Sequence, residues 1–137
     1  MAHILVIDDE VQIREVLRTV LERVGYVVSE AGDGIQGLRI YAQGGVDLVV
    51  TDIIMPQKGG IDTIMDLRRD FPDVKIIAIS GGGMCGEVSY LDMAIGVGAD
   101  RAIGKPFVLD DFLAAVEELI AEKRGSLKAQ DLTRSLR

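Results

Sequence analysis

Hydrophobic positions along the chain form short apolar runs that alternate with longer stretches of helical spacing. Almost every position in the first run is apolar, which is typical of a strand covered on both faces of a parallel sheet. The first helical stretch, which includes Leu17 and Leu21, stops before Gly25, a residue common just after helix C-termini. The predicted strands cover residues 3–8, 26–30, 46–52, 74–80 and 101–103.

Helical spacing follows each of these strands. The second helix is short and comes after a turn at Asp33-Gly34, the third begins after Gly59-Gly60, and the last starts near Leu109. Five strand–helix units in a row predict an α/β fold with a parallel sheet and helices on both faces. No internal repeat or low-complexity segment interrupts them, and the sequence leaves open whether residues 123–137 extend the last helix or fray.

Composition narrows the class of protein. A chain of 137 residues with 48% hydrophobic residues and a mean hydropathy of +0.26 is expected to fold as one globular domain. Residues 123–137 carry a net charge of +4, so the rest carries −11, and such an acidic body disfavours direct binding of nucleic acid. A lone Cys85 excludes an internal disulfide. No stretch has the length of a signal peptide or membrane span, so a soluble cytoplasmic protein is expected.

Polar residues appear where the apolar strands stop. Asp8 and Asp9 end the first predicted strand, Asp52 ends the third, Ser80 ends the fourth, and Lys105 follows the fifth. Any one of these acids could be a helix N-cap or a loop charge. Because ligands bind at the carboxyl ends of parallel strands, the whole set predicts a functional site at one edge of the sheet.

Clustered carboxylates repel one another, and a hard divalent cation with oxygen ligands relieves that repulsion. Mg²⁺ suits two carboxylates completed by water. With the ion bound, one carboxylate oxygen is still able to attack phosphorus, while the metal and a lysine balance the charge on the phosphoryl oxygens. A hydroxyl at the end of the fourth strand is able to donate to the same oxygens. The set therefore predicts a site that accepts a phosphoryl group and acts as a switch.

Four sequence blocks resemble the receiver domains of response regulators in two-component signalling: VIDDE, VVTDIIMP, IIAIS and GADRAIGKPF. The similarity covers roughly residues 3–122 and leaves 123–137 as a basic C-terminal tail or linker. It implies a CheY-like, flavodoxin-like three-layer α/β/α sandwich with strand order 2-1-3-4-5. The site roles that the resemblance implies are Asp52 as phosphoacceptor, Asp8, Asp9, Asp52 and the Ile54 carbonyl as Mg²⁺ ligands, Ser80 as switch hydroxyl, Lys105 as site lysine, and Pro106 after a cis peptide.

The resemblance also implies a phosphate donor and an output partner. Phosphate would come from a sensor histidine kinase or a histidine phosphotransfer protein, and the chain would be a switch that takes part in its own phosphorylation and dephosphorylation and is not a conventional enzyme. Output would pass to a protein partner through the face of the fourth helix, fifth strand and fifth helix. The protein would act as a stand-alone regulator or phosphorelay intermediate, as a monomer or phosphorylation-dependent dimer, without touching nucleic acid or membrane.

Two departures from the family pattern stand out. Ala102 occupies the position where receivers usually carry Tyr or Phe, so the usual coupling of hydroxyl and aromatic ring cannot operate in that form. The segment from Ser80 to Lys105 is longer than usual and contains GGGMCG. We therefore expect a mobile loop after the fourth strand, and an activation signal that leaves through backbone movement over residues 80–98.

Three alternatives remain open on the residues alone. Gly81, Gly83 and Gly86 spell a G-x-G-x-x-G pattern, but a dinucleotide site would use the first strand of its unit. A phosphatase with Asp8 as nucleophile would need a second aspartate at the position of Glu10. A receiver-like module that never carries phosphate is the third alternative, and an intact acidic site disfavours it.

Overall fold

The computed structural model describes residues 1–55, 58–80, 87–105 and 108–135. Strands and helices alternate throughout these residues, as the apolar pattern predicts. The strands are β1 His3–Ile7, β2 Val27–Ala31, β3 Leu48–Asp52, β4 Ile76–Ser80 and β5 Arg101–Gly104. The helices are α1 Val11–Val24, α2 Gly34–Ala42, α3 Gly60–Asp70, α4 Glu87–Val97 and α5 Leu109–Ser135.

All neighbouring strands are parallel, and their order is β2-β1-β3-β4-β5. This confirms the predicted strand order and the α/β/α class. The register pairs Ile7 with Thr51 and Asp52 with Ile79, so the ends of β1, β3 and β4 lie side by side. One edge of the sheet therefore collects the residues that follow these strands.

Two apolar cores cover the two faces of the sheet. Alternating residues of the strands divide between them, so that Ile4 and Val6 of β1 face one core and Leu5 and Ile7 face the other. The first core is completed by α1 and α5 with Phe112 fully buried, and the second by α2, α3 and α4. Burial on both faces explains why these strands read as continuous apolar runs and not as alternating ones.

Element boundaries differ from the predicted ones by one or two residues, as expected for fraying ends. Asp33-Gly34 is not a separate turn: Asp33 is the N-cap of α2, and its carboxylate accepts a hydrogen bond from the Gln36 amide. Gly25 adopts the left-handed conformation with φ 107° and ends α1, as predicted. The sequence leaves open whether residues 123–137 extend the last helix, and the structure shows that α5 continues to Ser135.

Far from the strand ends that collect polar residues, an arginine joins α3 to the start of β5. The Arg68 guanidinium donates to the carbonyl oxygens of Gly98 and Pro72 and to the Asp100 carboxylate at 2.7–3.2 Å. Asp100 also accepts a hydrogen bond from the Ile76 amide at 2.8 Å. All three guanidinium nitrogens of Arg68 therefore have a partner, and Asp100 Oδ2 accepts two hydrogen bonds. In the part of the chain that the structure describes, no helix combines the length and apolar character that a bilayer crossing requires.

Candidate phosphoacceptor site

Three carboxylates meet at the carboxyl edge of the sheet. Asp8 follows β1 and is buried, Asp52 ends β3 and is buried, and Asp9 is exposed. One oxygen from each of Asp8, Asp9 and Asp52 can be chosen so that all three lie within 4.8 Å of one another. The sequence prediction that these acids converge is therefore realised in the fold.

The backbone around Asp52 is fixed by close packing of α3. The Gly60 amide donates to the Ile53 carbonyl oxygen at 2.7 Å. A Cβ at position 60 would lie 2.1 Å from the Asp52 carbonyl oxygen, so only glycine fits. The buried Thr51 hydroxyl also donates to this carbonyl oxygen at 3.0 Å. Contacts from α3 and from the Thr51 side chain thereby hold the backbone of Asp52 at the edge of the sheet.

The environment of Asp52 opposes its negative charge. Burial is the main cause, and the nearby negative charge of Asp8 the second, of a pKa raised from 3.8 to about 6. Lys105 and the backbone amides of Ile53 and Ile54 act against this shift without cancelling it. The Ile53 amide donates directly to Asp52 Oδ1 at 2.8 Å. Asp52 is thus a carboxylate whose charge the protein alone compensates incompletely.

Lys105 is the cation of the site. Its Nζ lies 3.4 Å from Asp8 Oδ2 and 3.9 Å from Asp52 Oδ2, and its side chain is 18% exposed. The Lys105 amide donates to the Ser80 carbonyl oxygen at 2.6 Å, which ties the segment after β5 to the end of β4. The lysine therefore lies at the predicted edge of the sheet, where it faces both buried acids.

Ser80 is the last residue of β4 and is 1% exposed. Among the buried side-chain polar atoms of the described residues, its hydroxyl is the one without a hydrogen-bond partner. An unpaired buried hydroxyl costs free energy, about 1–3 kcal/mol, unless a ligand or water pairs with it. Since Ser80 follows the residue that pairs with Asp52 in the sheet, this free hydroxyl belongs to the same edge.

The residues present fit a hard divalent cation. Two buried carboxylates and one exposed carboxylate supply oxygen ligands at short separations, and the exposed side leaves room for water. A single lysine faces the two buried acids. A bound cation would add a second positive charge, which would offset the burial of Asp52 and its repulsion by Asp8, the two causes that raise its pKa. Oxygen-only ligands with few protein groups favour Mg²⁺ over zinc or copper.

The remaining sequence predictions concern Ala102, the glycine-rich segment, Pro106 and the Ile54 carbonyl. Ala102 pairs with the buried Ala78 in the sheet and packs on the second core, so a small side chain does stand where an aromatic ring is usual. The glycine-rich segment 81–86, with Cys85, lies outside the described residues. The same holds for Pro106 and its predicted cis peptide. The role of the Ile54 carbonyl as a metal ligand stays a prediction. Residue Ile54 is 56% exposed.

Sequence reasoning missed Arg14. In the structure, its guanidinium donates to the Asp8 carbonyl oxygen at 2.6 Å and to Glu30 at 3.2 Å. The available signal was an arginine in the first turn of a helix that directly follows two site aspartates. That signal is weak, because most arginines at such positions face solvent.

Taken together, a doubly wound parallel sheet with an acidic, lysine-containing carboxyl edge defines the class of CheY-like phosphoacceptor domains. Comparison with known proteins agrees. The family model for the response regulator receiver domain matches residues 4–117. The chain therefore belongs to the response regulator receiver domain family, which is a phosphoacceptor switch of two-component signalling and not a classical enzyme.

Relatives and solved structures support the same assignment. The chain is 32% identical over 133 residues to the response regulator MprA of Mycobacterium leprae, covering 96% of this chain and 57% of the relative. It is 32% identical over 132 residues to the probable transcriptional regulator ycf27 of Guillardia theta, covering 96% and 50%. The chain thus spans about half the length of the curated relatives it matches.

Two similar structures are receivers of about this length. A response regulator receiver domain protein from Clostridium thermocellum has a TM-score of 0.84 at 31% identity, covering 90% of this chain and 98% of that one. The response regulator TrrA from Thermotoga maritima, solved in complex with Mg²⁺-BeF, has a TM-score of 0.77 at 34% identity, covering 87% and 99%.

Proposed function

We propose that Asp52 is the phosphoryl acceptor of this receiver domain. The observation that carries the proposal is the unpartnered, buried Ser80 hydroxyl at the edge where Asp52 ends its strand. A phosphoryl group on Asp52 would offer oxygens to this donor and to the Lys105 ammonium. Asp8 and Asp52 each accept a backbone amide on Oδ1 and each face Lys105 with Oδ2, so these contacts do not separate them. Asp52 is favoured because its strand is the one that neighbours β4, which ends at Ser80.

We propose Mg²⁺ as the cofactor, held by Asp8, Asp9, Asp52 and the Ile54 carbonyl. When bound, the ion would neutralise charge on the transferring phosphoryl oxygens. TrrA, which this chain resembles, was solved with Mg²⁺-BeF, and that supports the choice of metal. Among the described residues, the cluster of Asp8, Asp9 and Asp52 is the one group of three acids close enough to hold a cation together.

The proposed reaction is phosphoryl transfer from a phosphohistidine. An Asp52 oxygen forms the new O–P bond, the P–N bond of the donor breaks, and the imidazole leaves with that electron pair. Lys105 balances the negative charge that accumulates on the phosphoryl oxygens, and Ser80 donates to one of them. In dephosphorylation, water would attack the phosphorus, the O–P bond to Asp52 would break, and inorganic phosphate would leave the free carboxylate behind. The same site groups would surround the phosphoryl group in both steps.

The donor we propose is a sensor histidine kinase or a histidine phosphotransfer protein, and the location we propose is the cytoplasm, both by analogy with the family. The output surface we propose is the face of α4, β5 and α5, and α4 carries three exposed apolar side chains, Tyr90, Met93 and Ile95. Such side chains suit a protein partner better than nucleic acid. Residues 1–122 would form the receiver and 123–137 a tail or linker toward further output.

Intact-mass spectrometry tests the acceptor. The parent and an Asp52→Asn variant would each be incubated with MgCl₂ and acetyl phosphate, with EDTA in a parallel sample. We expect one phosphoryl group on the parent only when Mg²⁺ is present, and none on the variant. The matched control is Asp62→Asn, which changes an exposed aspartate in the first turn of α3 and should not affect uptake.

Other results would overturn the proposal. Uptake by both parent and Asp52→Asn would put the acceptor elsewhere. If the parent binds Mg²⁺ but takes no phosphate from acetyl phosphate or from a phosphohistidine donor, a phosphate-independent interaction module would replace the proposed switch.

A further inference from the structure

The Arg14 side chain lies against the back of the acidic site. It projects from the first turn of α1, and only 17% of the side chain is exposed. Its Nη1 donates to the Asp8 carbonyl oxygen at 2.6 Å, and its Nε donates to Glu30 Oε1 at 3.2 Å. The guanidinium does not reach into the carboxylate cluster through either contact. It touches the backbone that carries that cluster.

Four polar atoms of Asp8 each contact a different residue. Its amide donates to the Ala31 carbonyl oxygen at 3.1 Å, Oδ1 accepts from the Glu10 amide at 2.9 Å, and Oδ2 faces Lys105 at 3.4 Å. The remaining atom, the carbonyl oxygen, accepts from Arg14. Since β1 ends at Ile7, this carbonyl lies past the last residue of the strand and takes its donor from a side chain.

Arg14 is itself held in place. Glu30 on β2 accepts from Arg14 through one carboxylate oxygen and from Arg18 Nη1 through the other at 2.6 Å. The Glu30 side chain is 23% exposed, and its strand pairs directly with β1. A partly buried carboxylate that accepts from two guanidinium groups fixes the orientation of each guanidinium better than a single surface ion pair does.

The peptide group that Arg14 holds joins Asp8 to Asp9. Asp9 is exposed, so the position of its carboxylate depends on the backbone on either side of it. We propose that Arg14 is a positioning residue that sets the cation affinity of the Asp8–Asp9 pair by fixing the peptide bond between them. This inference rests on the proposed Mg²⁺ site and adds a residue outside the ligand set.

The test compares Arg14→Met and Arg14→Lys with the parent. Binding of Mn²⁺ as a probe for Mg²⁺ would be followed by the loss of the free-ion electron paramagnetic resonance signal, and Mg²⁺ would be measured by competition. Changes in groups that orient metal ligands typically cost 10–100-fold in affinity. Because Arg14 acts through backbone, we expect about a tenfold weaker affinity for Arg14→Met and a smaller loss for Arg14→Lys, which keeps one charged donor.

A second readout separates positioning from general damage. The rate of phosphoryl uptake from acetyl phosphate would be measured against Mg²⁺ concentration. We expect Arg14→Met to need about tenfold more Mg²⁺ for half-maximal rate, while its rate at saturation stays within about twofold of the parent. A fall in the saturating rate without a change in half-saturation would contradict the inference. Arg69→Met is the matched control, because Arg69 is an exposed arginine on α3.

The backbone contact has its own signature. In ¹⁵N–¹H spectra without metal, loss of the donor to the Asp8 carbonyl should shift the Asp9 amide signal, because that carbonyl and that amide belong to one peptide group. If Arg14→Met does not fold, Arg14→Lys and Glu30→Gln carry the test, and each should weaken Mn²⁺ binding and shift the Asp9 amide. Unchanged binding in these variants would overturn the inference.

The two proposals fail in different ways. A parent that neither binds Mn²⁺ nor takes up phosphate contradicts the proposed function itself. A parent that does both, with Arg14→Met matching it in cation affinity, contradicts only the role of Arg14.

Discussion

The carboxyl edge of the sheet and the Arg68–Asp100 cluster both contain charged groups that are at least partly buried, but they differ in how fully those groups are paired. In the Arg68–Asp100 cluster, the guanidinium donates to two carbonyl oxygens and one carboxylate, and that carboxylate accepts a backbone amide as well. At the carboxyl edge, three carboxylates lie close together, one lysine faces the two buried ones, and a buried hydroxyl has no partner.

This difference separates a structural contact from a binding site. A saturated cluster gains nothing from a ligand, and it joins α3 to β5 in the folded protein alone. An unsaturated edge carries an electrostatic cost that a cation and a phosphoryl group would remove. We therefore expect the loss of a charged or polar side chain to change the free energy of unfolding in opposite directions in the two regions.

The largest expected effect falls where α3 packs against the backbone of Asp52. Gly60→Ala would put a Cβ 2.1 Å from the Asp52 carbonyl oxygen, against backbone that cannot move aside. We expect a loss of about 3 kcal/mol or more in the free energy of unfolding, measured by urea denaturation. Gly59→Ala is the control, since its Cβ would meet its nearest atom at 3.8 Å, and it should cost well under half as much. Equal losses would mean that the close approach is not the cause.

Removing the charge of Asp52 should stabilise the metal-free protein. The folded-state pKa of Asp52 is raised from 3.8 to about 6, so the folded protein holds a proton that the unfolded chain releases at lower pH. Stability is therefore lost as pH rises from about 4 to 6, and above 6 the whole penalty is present. Asp52→Asn lacks this carboxyl and should gain about 2–3 kcal/mol at pH 7.5.

The pH profile of that variant is the sharper check. Urea denaturation of parent and Asp52→Asn should converge near pH 4 and separate progressively up to pH 6. A constant difference at all pH values would show that the gain comes from something other than titration of Asp52.

The saturated cluster should respond in the other direction. Asp100→Ala leaves the Ile76 amide and part of the Arg68 guanidinium without partners, and we expect a loss of about 2 kcal/mol. Equilibrium urea denaturation gives the value, with the exposed Asp70→Ala as a control that should leave stability unchanged. A stabilised Asp100→Ala would remove the contrast between the two regions.

The smallest expected effect belongs to Ser80. Ser80→Ala deletes a buried hydroxyl that has no partner, so the metal-free protein should keep its stability or gain up to about 1 kcal/mol. Thr63→Val is the matched comparison, because the buried Thr63 hydroxyl donates to the Gly59 carbonyl oxygen at 2.8 Å. That variant should lose about 1 kcal/mol. Equal losses in thermal unfolding would indicate that the Ser80 hydroxyl is paired in solution.

Much of this fold could be predicted from the sequence, because strands buried on both faces must be apolar along their whole length. The same reasoning located Asp8, Asp52, Ser80 and Lys105, since they are the polar residues at which such strands stop. The family resemblance then supplied the strand order, which the apolar pattern alone does not determine.

What the sequence could not reveal depends on side chains that meet across distant segments. The donation from Arg68 to the Gly98 carbonyl spans 30 residues, and the absence of a partner for Ser80 is visible only once its surroundings are built. Arg14 reads as an ordinary helix arginine until Asp8 and Glu30 are placed around it. The continuation of α5 to Ser135 was left open because its polar, basic sequence has no decisive stop signal.

The most direct test of the contrast is thermal unfolding with and without Mg²⁺, at matched ionic strength. At ten times its dissociation constant the ion should add about 1.4 kcal/mol, or about 3–5 °C in Tm. We expect this rise for the parent and an equal rise for Asp100→Ala, whose starting Tm is lower but whose site is intact. We expect less than half the rise for Asp52→Asn. No rise in the parent, or an equal rise in Asp52→Asn, would contradict a cation site that includes Asp52.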